Sequence, residues 1–384
     1  MGKINIDYKR LITWRRWLHM HPETAGKEGN TAAFLAEELS RMGLKVQQNI
    51  FGFGLVAELN GKDSGKCIAL RADMDALPVM EKTDLAYKSI TQGVMHACGH
   101  DAHMTVLLGT AAELVNNPPP GKVKFIFQPS EEKPPGGAKY LIEAGVLENP
   151  DVDAVLGFHV SPSYPVGTVA LKEGEIMAIS DNFELIIKGK GGHGGVPHKT
   201  VDPILVTAQV IQGLQHIVSR TVNPAEPALI SIGTIRGGEA SNIIPDQVTL
   251  TGTVRSTNET VREEIVERMH QTLTGITKAW RADYILNYIY GYPPVVNHPG
   301  ITRLIMDVVK NDPDLELKVM DKPVMIGEDF AYYGRYVPAG YFFLGCGSKE
   351  KSHPLHQSSF DIEEACLPLG VRVMTQSVYR FLEE

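Results

Sequence analysis

The stretch Cys67-Ile68-Ala69-Leu70-Arg71-Ala72-Asp73-Met74-Asp75 runs from apolar residues straight into charge. A short apolar run that stops in this way reads as a buried strand. The pattern recurs twice. Residues 123–127 run into Gln128-Pro129-Ser130-Glu131-Glu132, and residues 154–158 run into His159. Helical stretches separate the runs, at about 104–115 and 138–144, and two more precede them, at 8–18 and 30–41. Strand and helix in alternation predict an α/β domain with a mostly parallel sheet. Ligands of such sheets gather beyond the carboxyl ends of the strands. Three strands are thus expected to deliver Asp73, Glu131 with Glu132, and His159 to one rim. Any one of them alone would pass for an ordinary loop residue. Their convergence points to an active site.

Between the first two runs lies Met95-His96-Ala97-Cys98-Gly99-His100-Asp101-Ala102-His103, which crowds a thiol, imidazoles and a carboxylate together. Gly99 lets the chain bend so that Cys98 and His100 turn toward one point. Such donors suit a divalent transition metal. Two ligands cannot hold a structural ion, so the rest must arrive from distant segments, as in a catalytic site. The adjacent carboxylates Glu131 and Glu132 repel each other and would ordinarily sit on a surface loop. Beside a metal they can divide the labour, one binding the ion and the other taking a proton from water. His356 near the C-terminus reads by itself as a surface histidine. His19, His21, His216, His270 and His298 read as structural or solvated.

The register changes near Asp181. Residues 183–188 alternate as a strand and lead into Gly189-Lys190-Gly191-Gly192-His193-Gly194-Gly195. A helix over about 201–220, strands at 228–235 and 248–254, a helix over 259–280 and a strand at 284–290 follow. This order resembles the split βαβ arrangement of a ferredoxin-like domain. Residues 182–294 are therefore expected to form an insertion into a first domain made of 1–181 and 295–384. The glycines around His193 permit either an idle flexible turn or a donor reaching an oxyanion. A strand at 341–344 and a helix from 362 are expected to close the chain.

Composition narrows the rest. A formal net charge of -8 argues against a nucleic-acid partner, which would need a basic surface. No run approaches the ~20 apolar residues of a membrane span. The first residues lack an apolar segment of the signal-peptide kind, and Met1-Gly2-Lys3 lacks the myristoylation pattern. Four scattered cysteines suggest a reducing compartment, hence the cytoplasm.

Taken together, these motifs closely resemble the co-catalytic metallopeptidase family that includes bacterial N-acyl-L-amino acid amidohydrolases, hippurate hydrolase, archaeal thermostable carboxypeptidases and plant auxin–amino acid conjugate hydrolases. The matching pieces are RADMDALP (71–78), GVMHACGHDAH (93–103), FQPSEE (127–132), GFHV (157–160), GKGGHGGVPH (189–198), ASNIIPD (240–246), GTVRS (252–256), GEDF (327–330) and LHQSSF (355–360). The resemblance implies an aminopeptidase-like catalytic domain with a ferredoxin-like lid that also dimerises. It implies two divalent ions (manganese, zinc, nickel or cobalt) on Cys98, His100, Glu132, His159 and His356, with the Cys98 thiolate bridging. Glu131 matches the general base and Asp73 a second acidic residue. His193 matches a lid histidine thought to reach the partner subunit's site. Asn242 and Arg255 match lid positions facing substrate. The implied reaction is hydrolysis of the amide of an N-acyl-L-amino acid. Deacetylation of N-acetyl-diaminopimelate and carboxypeptidase action are the alternatives, and a non-catalytic metal-binding scaffold is a remote one. Broader relatives carry His-x-Asp where this chain has Arg71-Ala72-Asp73, and an aspartate where it has Cys98. Ser130 stands where alanine is more usual.

Overall fold

A computed structural model describes residues 7–62, 65–348 and 353–383; the Met1–Lys3 pattern lies outside them. In chain order the elements begin with α1 (Tyr8–Met20), α2 (Gly29–Arg41), β1 (Lys45–Ile50), β2 (Gly54–Asn60), β3 (Cys67–Asp73) and α3 (His100–Asn116). Next come β4 (Lys122–Gln128), α4 (Gly137–Glu143), β5 (Ala154–Pro165), β6 (Thr168–Leu171) and β7 (Gly174–Met177). The inserted stretch holds β8 (Ile179–Lys188), β9 (Gly192–His193), α5 (Pro203–His216), β10 (Ala228–Arg236), β11 (Ile243–Ile244), β12 (Gln247–Ser256), α6 (Glu259–Ala279) and β13 (Asp283–Tyr292). The chain returns through β14 (Val295–Asn297), α7 (Pro299–Lys310), β15 (Glu316–Val319), β16 (Ala339–Gly347) and α8 (Cys366–Glu383).

By its contacts the chain divides into two compact units. One comprises Met1–Ile176, Val295–Lys322 and Asp329–Glu384; the other comprises Met177–Pro294 and Pro323–Glu328. The first unit is built on an eight-stranded sheet in the order β1-β2-β4-β3-β5-β16-β6-β15. Its centre, β4, β3, β5 and β16, is parallel throughout. Antiparallel pairing is found where β1, β2 and β6 join. Strands buried on both faces need continuous apolar sequence rather than alternation. That is why β3 and β16 are buried along their whole length. Helix α3 is buried almost all round, so its faces do not divide into wet and dry.

Boundaries differ from the sequence reading in places. The third strand does not end at His159 but runs on to Pro165, so His159 lies inside β5, where its neighbour on β16 is Phe343. Parallel pairing on into Ser161 keeps the strand extended through a polar residue that, in sequence alone, looks like a stop. The last helix begins at Cys366 rather than 362.

The second unit carries a four-stranded antiparallel sheet in the order β10-β12-β8-β13. The β8–α5–β10–β12–α6–β13 order is the ferredoxin-like arrangement expected from the sequence. Its core is aliphatic, with Leu185, Val210, Leu250, Ile265 and Leu273 fully buried. Asp202 caps α5 by accepting from Ile204 N, with Pro203 at the first helical position, so the helix starts there rather than at 201.

Candidate metal centre

Gly99 makes the centre possible. It lies at φ 90°, the left-handed region open to glycine, and caps the N-terminus of α3. A Cβ there would run into Val160 Cγ2. The bend puts Cys98 before the helix and His100 at its first residue, both buried. Cys98 Sγ stands 3.3 Å from His159 Nε2 and 3.3 Å from His356 Nε2. Glu132 Oε1 lies 3.4 Å from His356 Nε2 and 4.0 Å from His100 Nε2. Ligand atoms sharing one ion at ordinary bond lengths stand about 3–4 Å apart. The structure thus brings together Cys98, His100, Glu132, His159 and His356, the five positions singled out in the sequence. Glu131 joins His100 and Glu132 in one group of potential ligands, with their donor atoms within 4.8 Å of one another.

Each histidine is oriented from behind. His100 Nδ1 donates to the Asp75 carbonyl at 2.7 Å, and His159 Nδ1 to the Val160 carbonyl at 2.6 Å. Those bonds place the proton on Nδ1 and leave Nε2 as the lone-pair donor, the arrangement usual in metal-binding histidines. His356 reaches the centre from a residue at φ 64°, pinned by its amide to the Ala97 carbonyl at 2.7 Å. A left-handed non-glycine residue is costly, and strain of this kind collects at functional sites.

The donor set fits a divalent cation. His100 Nε2 and Glu132 Oε1 are buried with no hydrogen-bond partner, a state that costs about 1–3 kcal/mol per group. Burial, reinforced by Glu132, Glu131 and Asp73, pushes the Cys98 thiol well above its usual range. Burial opposes charge on His100, yet Asp73, Asp75 and Glu132 raise it to about 10. Burial and the neighbouring imidazoles lower His159 to about 3. Carboxylates buried here draw positive charge to the centre, and a coordinated cation would supply it while deprotonating the thiol outright.

Asp73 ends β3, as the sequence suggests, and its carboxylate is engaged by neighbouring side chains. Its Oδ1 accepts from His103 Nδ1 at 2.6 Å and its Oδ2 from Arg71 Nη1 at 2.8 Å. His103 Nε2 in turn accepts from Val160 N at 2.9 Å, so both its nitrogens are engaged. Asp73 Oδ2 lies 3.6 Å from His100 Nε2. Arg71 also bonds Gln128 and Asp329, at 2.9 and 2.6 Å. Ser130 acquires a physical role here: its amide and hydroxyl meet Glu28 Oε1 at 2.9 and 3.3 Å.

Sequence reasoning passed over Asp75, His103 and Asp101. It read His19 as structural or solvated, and the structure makes it structural. His19 is fully buried, with Nδ1 2.7 Å from Asp101 Oδ2. The signal available was its spacing from Arg15, one helical turn earlier on the same buried face.

In the second unit, His193 and Asn242 meet locally. His193 faces Ile243 in the β9–β11 ladder, Gly194 N donates to the Asn242 carbonyl at 2.8 Å, and His193 Nδ1 accepts from Gly195 N at 2.9 Å. Arg255 lies on β12, half-buried, with Nη1 donating to the Asp181 and Val254 carbonyls at 3.0 and 3.1 Å and also contacting the Thr253 hydroxyl.

Residues 69–380 match the model of peptidase family M20/M25/M40. The chain is 41% identical to thermostable carboxypeptidase 1 of Saccharolobus solfataricus, covering 96% of this chain and 95% of that protein. It is 42% identical to an N-acyl-L-amino acid amidohydrolase of Geobacillus stearothermophilus, over 75% and 78% of the two chains. A Bacillus subtilis crystal structure described as a dinuclear metal-binding peptidase of the M20 family superimposes with a TM-score of 0.85 at 33% identity, covering 98% of each chain. With the fold and the donor set, these matches show that the chain belongs to the M20/M25/M40 peptidase family and is a metal-dependent amidohydrolase.

Proposed function

We propose that this chain hydrolyses the amide bond of N-acyl-L-amino acids. In this reading two divalent cations per subunit are held by Cys98, His100, Glu132, His159 and His356. The observation that carries it is the meeting of those donors beside Glu131, with Cys98 Sγ 3.3 Å from two imidazole nitrogens. The activity named for the Geobacillus relative supports the substrate class. When bound, such ions polarise the amide carbonyl and lower the pKa of water.

The chain's own groups do the rest. Glu131 takes the proton of the attacking water and returns it to the leaving amine. Asp73, held by Arg71, orients His103 and stands beside His100. His193 donates to the oxyanion, and Asn242 and Arg255 hold the substrate carboxylate. Residues 182–294 act as lid and dimerisation domain of a homodimer, and 1–181 with 295–384 as the catalytic domain. Four buried cysteines without a disulfide support a reducing, cytoplasmic setting. No helix among the described residues is long and apolar enough to cross a membrane.

The test combines metal analysis with a substrate panel of N-acetyl-L-amino acids, hippurate, N-acetyl-diaminopimelate and short peptides. Turnover of the first two, lost with chelator and restored by manganese or zinc, is the expected result. Turnover confined to N-acetyl-diaminopimelate, or to peptides shortened from the carboxyl end, would move the assignment to those activities. Metal-loaded protein silent on the whole panel would leave a scaffold.

A further inference from the structure

Asp181 on β8 is held at both its polar ends. Its carboxylate is fully buried and pairs with Arg262 of α6, whose Nε and Nη2 lie at 2.9 and 3.2 Å. The same carboxylate accepts from the Tyr288 hydroxyl at 2.7 Å and from Gly291 N at 2.8 Å, both on β13. Its carbonyl accepts from the Thr253 hydroxyl at 2.6 Å and from Arg255 Nη1 at 3.0 Å. Having donated its proton, the Thr253 hydroxyl still has lone pairs, and it accepts from Arg255 Nη1 in turn. The Val254 carbonyl takes that nitrogen as well, at 3.1 Å. Thr253 and Arg255 stand two apart on β12, so they leave the same face of the strand, while Val254 between them enters the core.

The acceptors of Arg255 thus all gather on Nη1. Its Nε and Nη2 bond to nothing among the described residues, and the side chain makes no ion pair there. The Asp181 carboxylate, committed to Arg262, does not neutralise it by contact. Burial draws the Arg255 guanidinium below its ordinary value, against the pull of Asp181 and Tyr288. A half-buried cation with only neutral acceptors calls for an anion.

We propose that Thr253 is the positioning residue of Arg255, tying Nη1 to the sheet so that Nε and Nη2 are left as a fork for the substrate's carboxylate. This rests on the assignment of Arg255 to the substrate carboxylate given above. A guanidinium meets a carboxylate best through two parallel N–H···O bonds, and tying down Nη1 selects the edge that makes them. The tie also confers selectivity. A carboxylate offers an oxygen to each prong, whereas a carboxamide offers one oxygen and turns its own N–H groups against the other prong. Substrates ending in a free carboxylate are therefore favoured over their amides.

The test compares Thr253→Val, which keeps the branched shape without the hydroxyl, with Thr253→Ser, which keeps the hydroxyl. Both are assayed on hippurate and on hippuramide. In Thr253→Val the KM for hippurate should rise about tenfold with kcat within about twofold, as when ground-state and transition-state binding are lost together. The KM for hippuramide should stay within about twofold, and Thr253→Ser should follow wild type on both. Equal rises for acid and amide would mark a merely structural role and overturn the proposal. So would wild-type kinetics in Thr253→Val, or a serine that fails to restore them. Should Thr253→Val not fold, Arg255→Lys keeps the charge and loses the fork; an unchanged preference for acid over amide in that variant would refute the fork. Where hippurate is not turned over, calorimetry of the two compounds decides. Wild type should prefer hippurate about tenfold and Thr253→Val should lose that preference. Wild type without the preference, or blind to both compounds, would overturn the proposal. Silence on the substrate panel with the preference intact would fail the hydrolase reading and leave this one standing.

Discussion

Cys98 is a poor thiolate without positive charge nearby, because burial and three carboxylates oppose its ionisation. The same carboxylates invite a cation, and the proposed chemistry divides these acidic groups into ligands and base. Glu131→Gln tests that division. Glutamine keeps the size and the backbone amide, which donates to Asp75 Oδ1 at 2.9 Å, and removes only the ability to take a proton. The variant should bind the same quantity of metal and lose about 10²–10⁴-fold in kcat. Metal analysis alongside steady-state kinetics checks it; near-normal turnover would remove Glu131 as the base. At this scale the contiguous signals were legible. Cys98, Gly99 and His100 sit within three residues, and Glu131 beside Glu132 announces itself. Asp75 was hidden because its carboxylate accepts from the backbone amides of Glu131 and Glu132, which leave no mark on the identity of those residues. Ser130 was unexplained for a related reason: its partner Glu28 lies far away in sequence and meets it only in the fold.

Among the elements, α3 carries buried charge at its start, since it opens with His100 and buries Asp101 one residue later. Asp101 accepts from Arg15 Nε at 3.1 Å, from His19 Nδ1 at 2.7 Å and from Ala102 N at 2.9 Å. These bonds tie α1 to the start of α3, behind the centre. Burial alone would raise the Asp101 carboxyl, but Arg15 and His19 outweigh it and hold the group well below the usual carboxylate range. A depressed folded value means that the stabilisation is complete above an ordinary carboxyl pKa of about 4 and fades as pH falls below it. Asp101→Asn removes one carboxylate from the buried Arg15, which keeps Asp361 at 2.6 Å, so the loss at pH 7 should be about 1–3 kcal/mol. Urea unfolding of variant and wild type should show that gap at pH 7 and a smaller gap near pH 3. A gap independent of pH would mean that packing, not the ion pair, holds these helices together. The helices were legible from their apolar runs. The ion pair was not, because Arg15 and Asp101 lie 86 residues apart in sequence and only the packing of α1 on α3 joins them. The course of β5 was misjudged for an equally local reason: a histidine in an apolar run looks like an ending, and only the pairing with β16 carries the strand beyond it.

For the whole molecule, the proposed homodimer raises the question of which subunit would serve which site. The metal donors and Glu131 belong to one unit of the chain; His193, Asn242 and Arg255 belong to the other. The order β8–α5–β10–β12–α6–β13 made that second unit legible as a ferredoxin-like insertion, while the assignment of His193 to a partner's site is a proposal. Two inactive variants resolve it. In His193→Ala the base is intact and the donor is missing; in Glu131→Gln the donor is intact and the base is missing. If His193 acts within its own subunit, every subunit in a mixture carries one defect and activity stays at the sum of the two variants. If it acts across a two-fold dimer, a mixed dimer pairs an intact base with an intact donor at one of its two sites. Random mixing makes half of the dimers mixed, so recovery should approach about a quarter of wild-type activity. Subunits must be exchanged by mild dissociation and reassociation, with mixed dimers verified by differential tagging. Verified mixed dimers without recovery would place the donor and the base in the same subunit. Recovery that depends on Glu131 from one chain and His193 from the other would make the dimer itself the catalytic unit, since a single folded subunit would then hold both parts and still be unable to join them.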